Sequence, residues 1–416
     1  MKYWKKLSHQ QIKARIFDAL DKNVDYFDEI ILGVPASHLD SQVFHADASF
    51  LRDAPFMSTL VHNPNHIGCH TNSESEHFFA GTQEIERELI ELCAVDILKA
   101  EPDSCDGYVA SGGTEANMQA IWVYRNYFMQ EHGAKLSDIC IITSEDAHYS
   151  MSKAANVLQV ELHKMPINEH DRTLQPDALR ARIAKLQQSG KKYFIVVANM
   201  MTTMFGSVDD VNTYIEALEG LGCTYKIHVD GAYGGFYYPF AQPENDLNFS
   251  NPNVSSVTLD AHKMAQAPYG TGIFLIRKGW IEYANTSDAS YVEGEDYTLI
   301  GSRSGANAIA IWMILMNYGP YGWYEKTLIL QKRADWLCEQ LQGKGIEFYR
   351  HPKSNIVTIR SAFVPAKIAD EFGLVPDNHH HPAWNKIVIM EHVIIEKMQP
   401  LLEKLYRQTS SAESAT

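Results

Sequence analysis

One arrangement recurs along this chain: a short apolar, β-branched run, a polar turn, then apolar residues at helical spacing. It appears in "YVASGGTEANMQAIWVYRNYFM", in "DICIITSEDAHYSMSKAANVL" and in "KYFIVVANMMTTMFGSVDDVNTYIEALEGLG", and "YKIHVDGAYGGF" opens the same way. Apolar runs alternating with helices specify an α/β domain whose mostly parallel sheet is buried on both faces. In such sheets ligands gather beyond the carboxyl ends of the strands. The turns that follow these runs are where chemistry is expected, and they hold the unusual residues. Ahead of them, "QEIERELIELCAVDILK" at 83–99 reads as an amphipathic helix. From about residue 306, "ANAIAIWMILMNYG" starts a long helical stretch, and the remainder reads as a smaller α+β domain. The expected organisation is an N-terminal helical segment over 1–65, a large α/β domain over 66–305, a small C-terminal α+β domain over 306–407 and a frayed tail over 408–416.

Charge and cysteine usage narrow the functional classes. A net charge of -15 argues against a broad basic face for nucleic acid or anionic membrane. No apolar stretch reaches transmembrane length. "MKYWKKLSHQQIKARIFDAL" lacks the apolar core of a signal peptide, and its Lys-rich start is expected to form a solvated amphipathic helix. The six cysteines are scattered, with no C-x-x-C pair, which reads as reduced thiols in a cytosolic protein. His66, His70 and His77, and the run His379 to His381, come without metal-ligand spacing, so no metal site is expected.

Four turns hold residues that a plain α/β core does not need. In "SGGTEAN", Gly112 and Gly113 let backbone approach a ligand, a helix N-terminus offers free N–H groups, and Thr114 adds a hydroxyl. That is a cradle for one phosphate, without the lysine and spacing of a Walker loop. "DAHYS" puts His148 after a strand, and "HVDGAYGG" closes a strand on Asp230, with the small Ala232 leaving room for a flat ring. "TLDAHKMAQAPYGTG" sets His262 and Lys263 side by side at a strand end. Each has a bland reading alone: a tight turn, a structural histidine, a helix cap, a salt bridge. Together they are the parts of a pyridoxal phosphate site, where a lysine holds the cofactor as a Schiff base and an acid faces its pyridinium nitrogen.

These residues resemble a known family. "SGGTEAN", "DAHYSMSKAANVL", "ANMMTTMFGSVDD", "HVDGAYGG", "DAHKM" and "GSRSGA", in that order between about 80 and 310, are similar to the group II pyridoxal-phosphate-dependent amino acid decarboxylases. The nearest branches are the bacterial histidine decarboxylases and the archaeal tyrosine/aspartate decarboxylases. The resemblance implies an aspartate aminotransferase-like fold (fold type I) and a homodimer with its active site at the subunit interface. It implies that Lys263 carries the cofactor, His148 stacks on its ring, and Asp230 pairs with the ring nitrogen and stays ionised. Gly112, Gly113, Thr114 and His262 would hold the phosphate, and Ser302 would reach the partner subunit's phosphate. Thr203 would meet the ring hydroxyl or the substrate carboxylate, with Thr202 the second choice. The proton donor is expected in the segment between Lys263 and Ser302, at Tyr291 in preference to Tyr297.

One departure stands out: Met201 occupies a position where relatives carry glycine, which predicts a tighter loop near Thr203. The expected reaction is decarboxylation of an L-amino acid to its amine and CO2. Histidine or an aromatic substrate is favoured, and aspartate or glutamate stays open. An acidic substrate side chain would need a buried cation, for which Arg87, Arg303 and Arg360 are candidates. The alternative is an aminotransferase or a Cα–Cβ lyase, because one fold hosts many reactions.

Overall fold

The computed structural model describes residues 3–23, 47–61, 65–67, 77–285 and 294–413. The strands are β1 (Asn65–Ile67), β2 (Cys105–Ala110), β3 (Ile139–Ser144), β4 (Glu161–Met165), β5 (Tyr193–Asn199), β6 (Thr224–Gly231), β7 (Val254–Asp260), β8 (Gly272–Arg277) and β9 (Ser302–Ser304), then β10 (Phe348–Tyr349), β11 (Ile356–Arg360), β12 (Val375–Pro376) and β13 (Trp384–Val388). Strands β2 to β8 form one sheet in the order β2-β8-β7-β6-β5-β3-β4. Only β8 runs against its neighbours; the pairs from β4 across to β7 are parallel. The mostly parallel α/β sheet expected from the apolar runs is therefore present.

Both faces of this sheet are covered, and the covering follows the strand period of two. Cys140, Ile142, Phe194, Val196, Ile227, Val229, Val257 and Leu259 face one core. Ile139, Ile141, Ile195, Val197, Phe274 and Ile276 face the other. Each fully buried aliphatic side chain contributes roughly 1.5–3 kcal/mol relative to exposure. The second core is roofed by α4 (Gly113–His132) and α5 (Ser150–Leu158). Helix α4 ends where Gly133 takes the left-handed conformation (φ 62°) that glycine adopts without strain.

The N-terminal region departs from expectation. A capping box from Ser8 starts α1 (His9–Lys22), yet its Ile12, Ile16 and Ala19 are buried. The helix is thus one layer of the core, packed on α3 (Ala80–Leu92), and is not simply a solvated appendage. The expected helix over 83–99 ends early, and a π-helical turn over Cys93–Ile97 completes it.

Two short helices, α2 (Pro55–Val61) and, later, α8 (Tyr238–Ala241), pack against the long helix over 305–342, and α6 (Pro176–Gln188) and α7 (Val211–Glu219) cover the β4–β6 side of the sheet. The long α9 (Gly305–Gln342) bends at Gly319 (φ 62°) and Pro320. The bend frees carbonyls that a straight helix would use. Trp4 Nε1 donates to Leu315 O at 2.7 Å and Leu7 N to Met316 O at 2.9 Å, so the N-terminal segment satisfies both. Beyond the bend, β10-β11-β13-β12 form a small antiparallel sheet with α10 (Ala366–Glu371) and α11 (Ile395–Glu413).

One buried ion pair ties α3 to β9 and the start of α9. Arg303 Nη1 lies 2.5 Å from Glu86 Oε1, and the same guanidinium donates to Val109 O. Glu86 Oε1 also accepts from Val109 N at 2.7 Å. Both side chains are almost fully enclosed. Arg303→Met is expected to cost about 3–5 kcal/mol in denaturant unfolding, because it strands a buried carboxylate. Adding Glu86→Gln should recover part of that loss; a double variant no more stable than the single would show the pair is not its source.

Candidate active site

The sheet brings the four turns to one edge. β2 ends at Ala110 and runs into Gly112 and Gly113; β3 ends at Ser144, ahead of His148; β6 delivers Asp230; β7 ends at Asp260, ahead of His262 and Lys263. Asp230, half-buried His148 and half-buried Lys263 lie within electrostatic reach of one another. Burial lowers the His148 pKa, and the Lys263 charge pushes the same way against the pull of Asp230. A neutral imidazole results. Its Nδ1 lies 2.9 Å from Ser150 Oγ, which fixes the ring.

Asp230 is 8% exposed and both of its oxygens accept hydrogen bonds. Ala232 N donates to Oδ1 at 3.1 Å and Asn117 Nδ2 to Oδ2 at 2.9 Å. Asn117 Oδ1 faces His228 Nε2 at 2.9 Å, and His228 Nδ1 lies 2.7 Å from Ser256 Oγ. Thr258 Oγ1 approaches His228 Nε2 at 3.2 Å, and Tyr124 OH donates to Ser256 Oγ. Burial pulls His228 down to about 4, so it is neutral and acts as a hydrogen-bonding spacer. Sequence reasoning missed Asn117, His228, Ser256 and Thr258. The signal was there: "KIHVDG" and "SSVTLD" alternate polar with apolar inside an otherwise continuously apolar sheet. Their polar members pair across β6 and β7, His228 with Ser256 and Asp230 with Thr258.

The glycine turn is a close approach. A Cβ on Gly113 would sit 2.7 Å from Ala232 Cβ and 3.3 Å from Asp260 Oδ2, so no larger residue fits. Gly113 N donates to Asp260 Oδ2 at 3.2 Å. Buried Asp260, which sequence reasoning also passed over, gathers this corner: His262 Nδ1 lies 2.8 Å from Oδ1 and Lys263 Nζ 3.5 Å from Oδ2. Neither Asp260 Oδ1 nor His262 Nδ1 has a well-aligned hydrogen bond. Lys263 leads a turn in which Gln266 N donates to Lys263 O, with Gln266 left-handed (φ 57°). Lys326 Nζ, itself paired with Glu391 at 2.7 Å, holds Gln266 Oε1 at 2.8 Å.

The remaining expected residues divide. Thr202 is buried and occupied by Ser207 Oγ at 2.7 Å, whereas Thr203 is exposed. Met201 adopts φ 68°, the left-handed region that a glycine enters freely, so the noted departure falls where backbone geometry favours glycine. Ser302 is exposed on β9, paired in register with Ile67. Tyr297 packs under the α4 side, with Glu295, Glu282 and Asp106 among its charged neighbours. Tyr291 lies outside the described residues. The expected pocket wall over 62–81 is described only at 65–67 and 77–81. Of the candidate cations for an acidic substrate, Arg303 is committed to Glu86, and Arg360 pairs with Glu347 at 3.0 Å while stacking on Trp384.

Cysteine chemistry is disfavoured at the described thiols. Burial pushes Cys105 and Cys140 up to about 12 and Cys223 and Cys338 to about 11. A cavity of about 630 Å³ lies between the N-terminal segment and α9, lined by Lys6, Tyr318 and Lys326, the lysine that also holds Gln266.

Residues 83–358 match the model of the pyridoxal-dependent decarboxylase conserved domain. The chain belongs to this family. It is 48% identical over 406 residues to the tryptophan decarboxylase of Clostridium sporogenes, covering 97% of each chain. It is 26% identical to the histidine decarboxylase of Pseudomonas entomophila, covering 85% of each. Among solved structures it resembles L-methionine decarboxylase from Streptomyces sp. 590, with a TM-score of 0.71, 22% identity and 87% and 89% of the two chains covered. It is a pyridoxal-phosphate-dependent amino acid decarboxylase of fold type I.

The residues present fit that cofactor. Gly113 packs against Ala232 and Asp260 only because it lacks a side chain, and this close approach sets the α4 N-terminus, with N–H donors for an anion, beside the His262–Lys263 turn. The Asp260–His262 corner keeps polar atoms with unused bonding capacity beside it.

Two expectations follow for this decarboxylase. Asn117→Leu removes the donor to Asp230 Oδ2 and should lower kcat roughly tenfold or more while leaving the protein folded by circular dichroism. Because the His148 pKa lies below the usual histidine value near 6.5, His148 stays uncharged as pH falls through that value. The acid limb of kcat/KM should therefore appear below pH 6.5 and move in His148→Phe; an unmoved limb would assign it to another group.

Proposed function

We propose that this decarboxylase acts on an aromatic L-amino acid, with tryptophan the first candidate, releasing the amine and CO2. The observation that carries the reading is the similarity to the Clostridium sporogenes tryptophan decarboxylase over nearly the whole of both chains. The commitment of Arg303 and Arg360 to Glu86 and Glu347 supports it, since neither guanidinium is left to neutralise an acidic substrate side chain.

In this reading Lys263 is the residue that would hold the cofactor. Gly112, Gly113 and Thr114 would hold the phosphate with His262, while His148 and Ala232 would border the ring and Asp230 its nitrogen. Bound there, pyridoxal phosphate supplies the electron sink for the pair left at Cα when CO2 departs. The residues do the rest. Asn117 and the Ala232 N–H keep the Asp230 carboxylate aimed. Thr203 borders the substrate carboxylate, whose bond to Cα must stand across the ring plane for cleavage. Tyr291 returns a proton to Cα.

The working unit in this reading is a homodimer, with Ser302 reaching the partner subunit's phosphate site, in the cytoplasm. Exposed Phe50, Met57, Leu60, Tyr269 and Ile300 support an assembly that covers them.

Screening the twenty amino acids against the purified enzyme should give CO2 and amine in equal amounts, fastest with tryptophan. Keto acid in place of amine would overturn decarboxylation in favour of transamination. Lys263→Ala should lose both turnover and the visible cofactor absorbance.

A further inference from the structure

Lys326 belongs to two places at once. Its ammonium, almost fully enclosed, pairs with Glu391 Oε1 at 2.7 Å and donates to Gln266 Oε1 at 2.8 Å. Glu391 lines the cavity of about 630 Å³ between the N-terminal segment and α9, whereas Gln266 stands in the Lys263 turn. Gln266 N donates to Lys263 O at 3.2 Å. The same residue holds a left-handed φ of 57°, which a non-glycine keeps only when its surroundings enforce it. Lys326 is one such enforcing contact. A single ammonium therefore joins a cavity that decarboxylation does not use to the turn that carries Lys263.

The lining of the cavity sets the chemistry of its occupant. Its volume falls within the range of about 300–1,000 Å³ usual for small-molecule sites. Lys6, Lys326 and Arg333 line it together with Glu325 and Glu391, a surplus of positive charge on a chain whose net charge is -15. Glu391 is committed to Lys326. Among the described residues no carboxylate pairs with Lys6 or Arg333, and Arg333 Nη1 donates instead to the Glu391 carbonyl at 2.8 Å. Leu7, Tyr318, Ile329 and Leu330 supply the apolar surface. The Tyr318 ring is braced edge-on by Trp323, 5.3 Å between centroids, so one wall is a fixed aromatic face. We propose that this cavity binds a small carboxylate with an aromatic body, and that its occupancy lowers turnover by drawing Lys326 away from Gln266.

The competition at Lys326 has a direction. A carboxylate is a stronger acceptor for an ammonium than a neutral amide is, so an arriving anion displaces Gln266 before it displaces Glu391. Without Lys326, Gln266 loses a contact that holds its left-handed backbone, and the Lys263 turn relaxes. The coupling is reciprocal: whatever tightens the Lys263 turn must weaken the anion by the same factor. The effect on turnover rests on the role of Lys263 in the reading above, whereas binding to the cavity does not.

Indole-3-acetate, with indole-3-acetamide as its uncharged counterpart, tests this on the holoenzyme. Calorimetry should show the acetate binding roughly tenfold or more tightly than the amide. Against the amino acid that the enzyme turns over fastest, the acetate should inhibit non-competitively, lowering kcat and leaving KM nearly unchanged. The double variant Lys6→Ala with Arg333→Ala should keep wild-type kcat and KM without the probe and bind the acetate roughly tenfold or more weakly. Gln266→Leu should still bind the acetate but show no further loss of kcat on its addition. Competitive inhibition, or an affinity unmoved in the double variant, would place the probe in the substrate site and overturn the proposal. So would absent binding, equal binding of the amide, or binding that leaves kcat untouched. Turnover retained in Lys263→Ala would remove the reading of that lysine, and calorimetry on the double variant would still decide the cavity.

Discussion

A carboxylate at the end of a buried strand must find its hydrogen bonds inside the protein, and at Asp230 it does. Its two oxygens accept from Asn117 and from the Ala232 N–H, donors fixed by a helix and by the strand's own turn. Leaving either oxygen unpaired would cost on the order of 1–3 kcal/mol or more for a charged group. The surrounding architecture can be understood as what this one acid requires. α4 must begin where it does so that Asn117, one turn beyond Gly113, reaches it, and α4 can begin there only because Gly113 accepts contact with Ala232 and Asp260.

The requirement reaches deeper than the cleft. On the face of the sheet beneath α4, β3 and β5 present aliphatic residues, but β6 and β7 present His228, Asp230, Ser256 and Thr258. A polar stripe inside a core is tolerable only if every member is paired. Here the neutral imidazole of His228 links the Asn117 amide to the Ser256 hydroxyl, and Tyr124 closes the far end. The stripe sacrifices apolar burial to make the site rigid. That rigidity matters for a reaction selected by how one bond is turned against a ring.

Opposite this rigid acid stands a cationic side. Lys263 rests against Asp260 in a turn whose left-handed Gln266 is held by Lys326, and Lys386 reaches in from the small sheet through the Thr203 loop. The large and small sheets thus meet at the Thr203 loop, and the bend in α9 at Gly319 and Pro320 is where the chain passes from one to the other.

Local pattern was enough for the α/β sheet, for the turns at the strand ends and for the residue types within them, because apolar period, glycine pairs and strand-end polar residues are read over a few neighbours. It was the family resemblance that singled out Met201, and its φ of 68° lies where backbone geometry favours a glycine. What local pattern could not decide depended on partners far apart in the chain. Arg303 looks available until it meets Glu86, 217 positions away. Asn117 looks like any polar helix residue until Asp230 arrives from 113 positions on. Thr202 and Thr203 are indistinguishable as letters, and only the fold turns one inward to Ser207 and leaves the other by Lys386. Composition and period follow from short-range sterics and burial, whereas the pairing of charges is a property of the finished packing, and that is where tertiary structure alone decided.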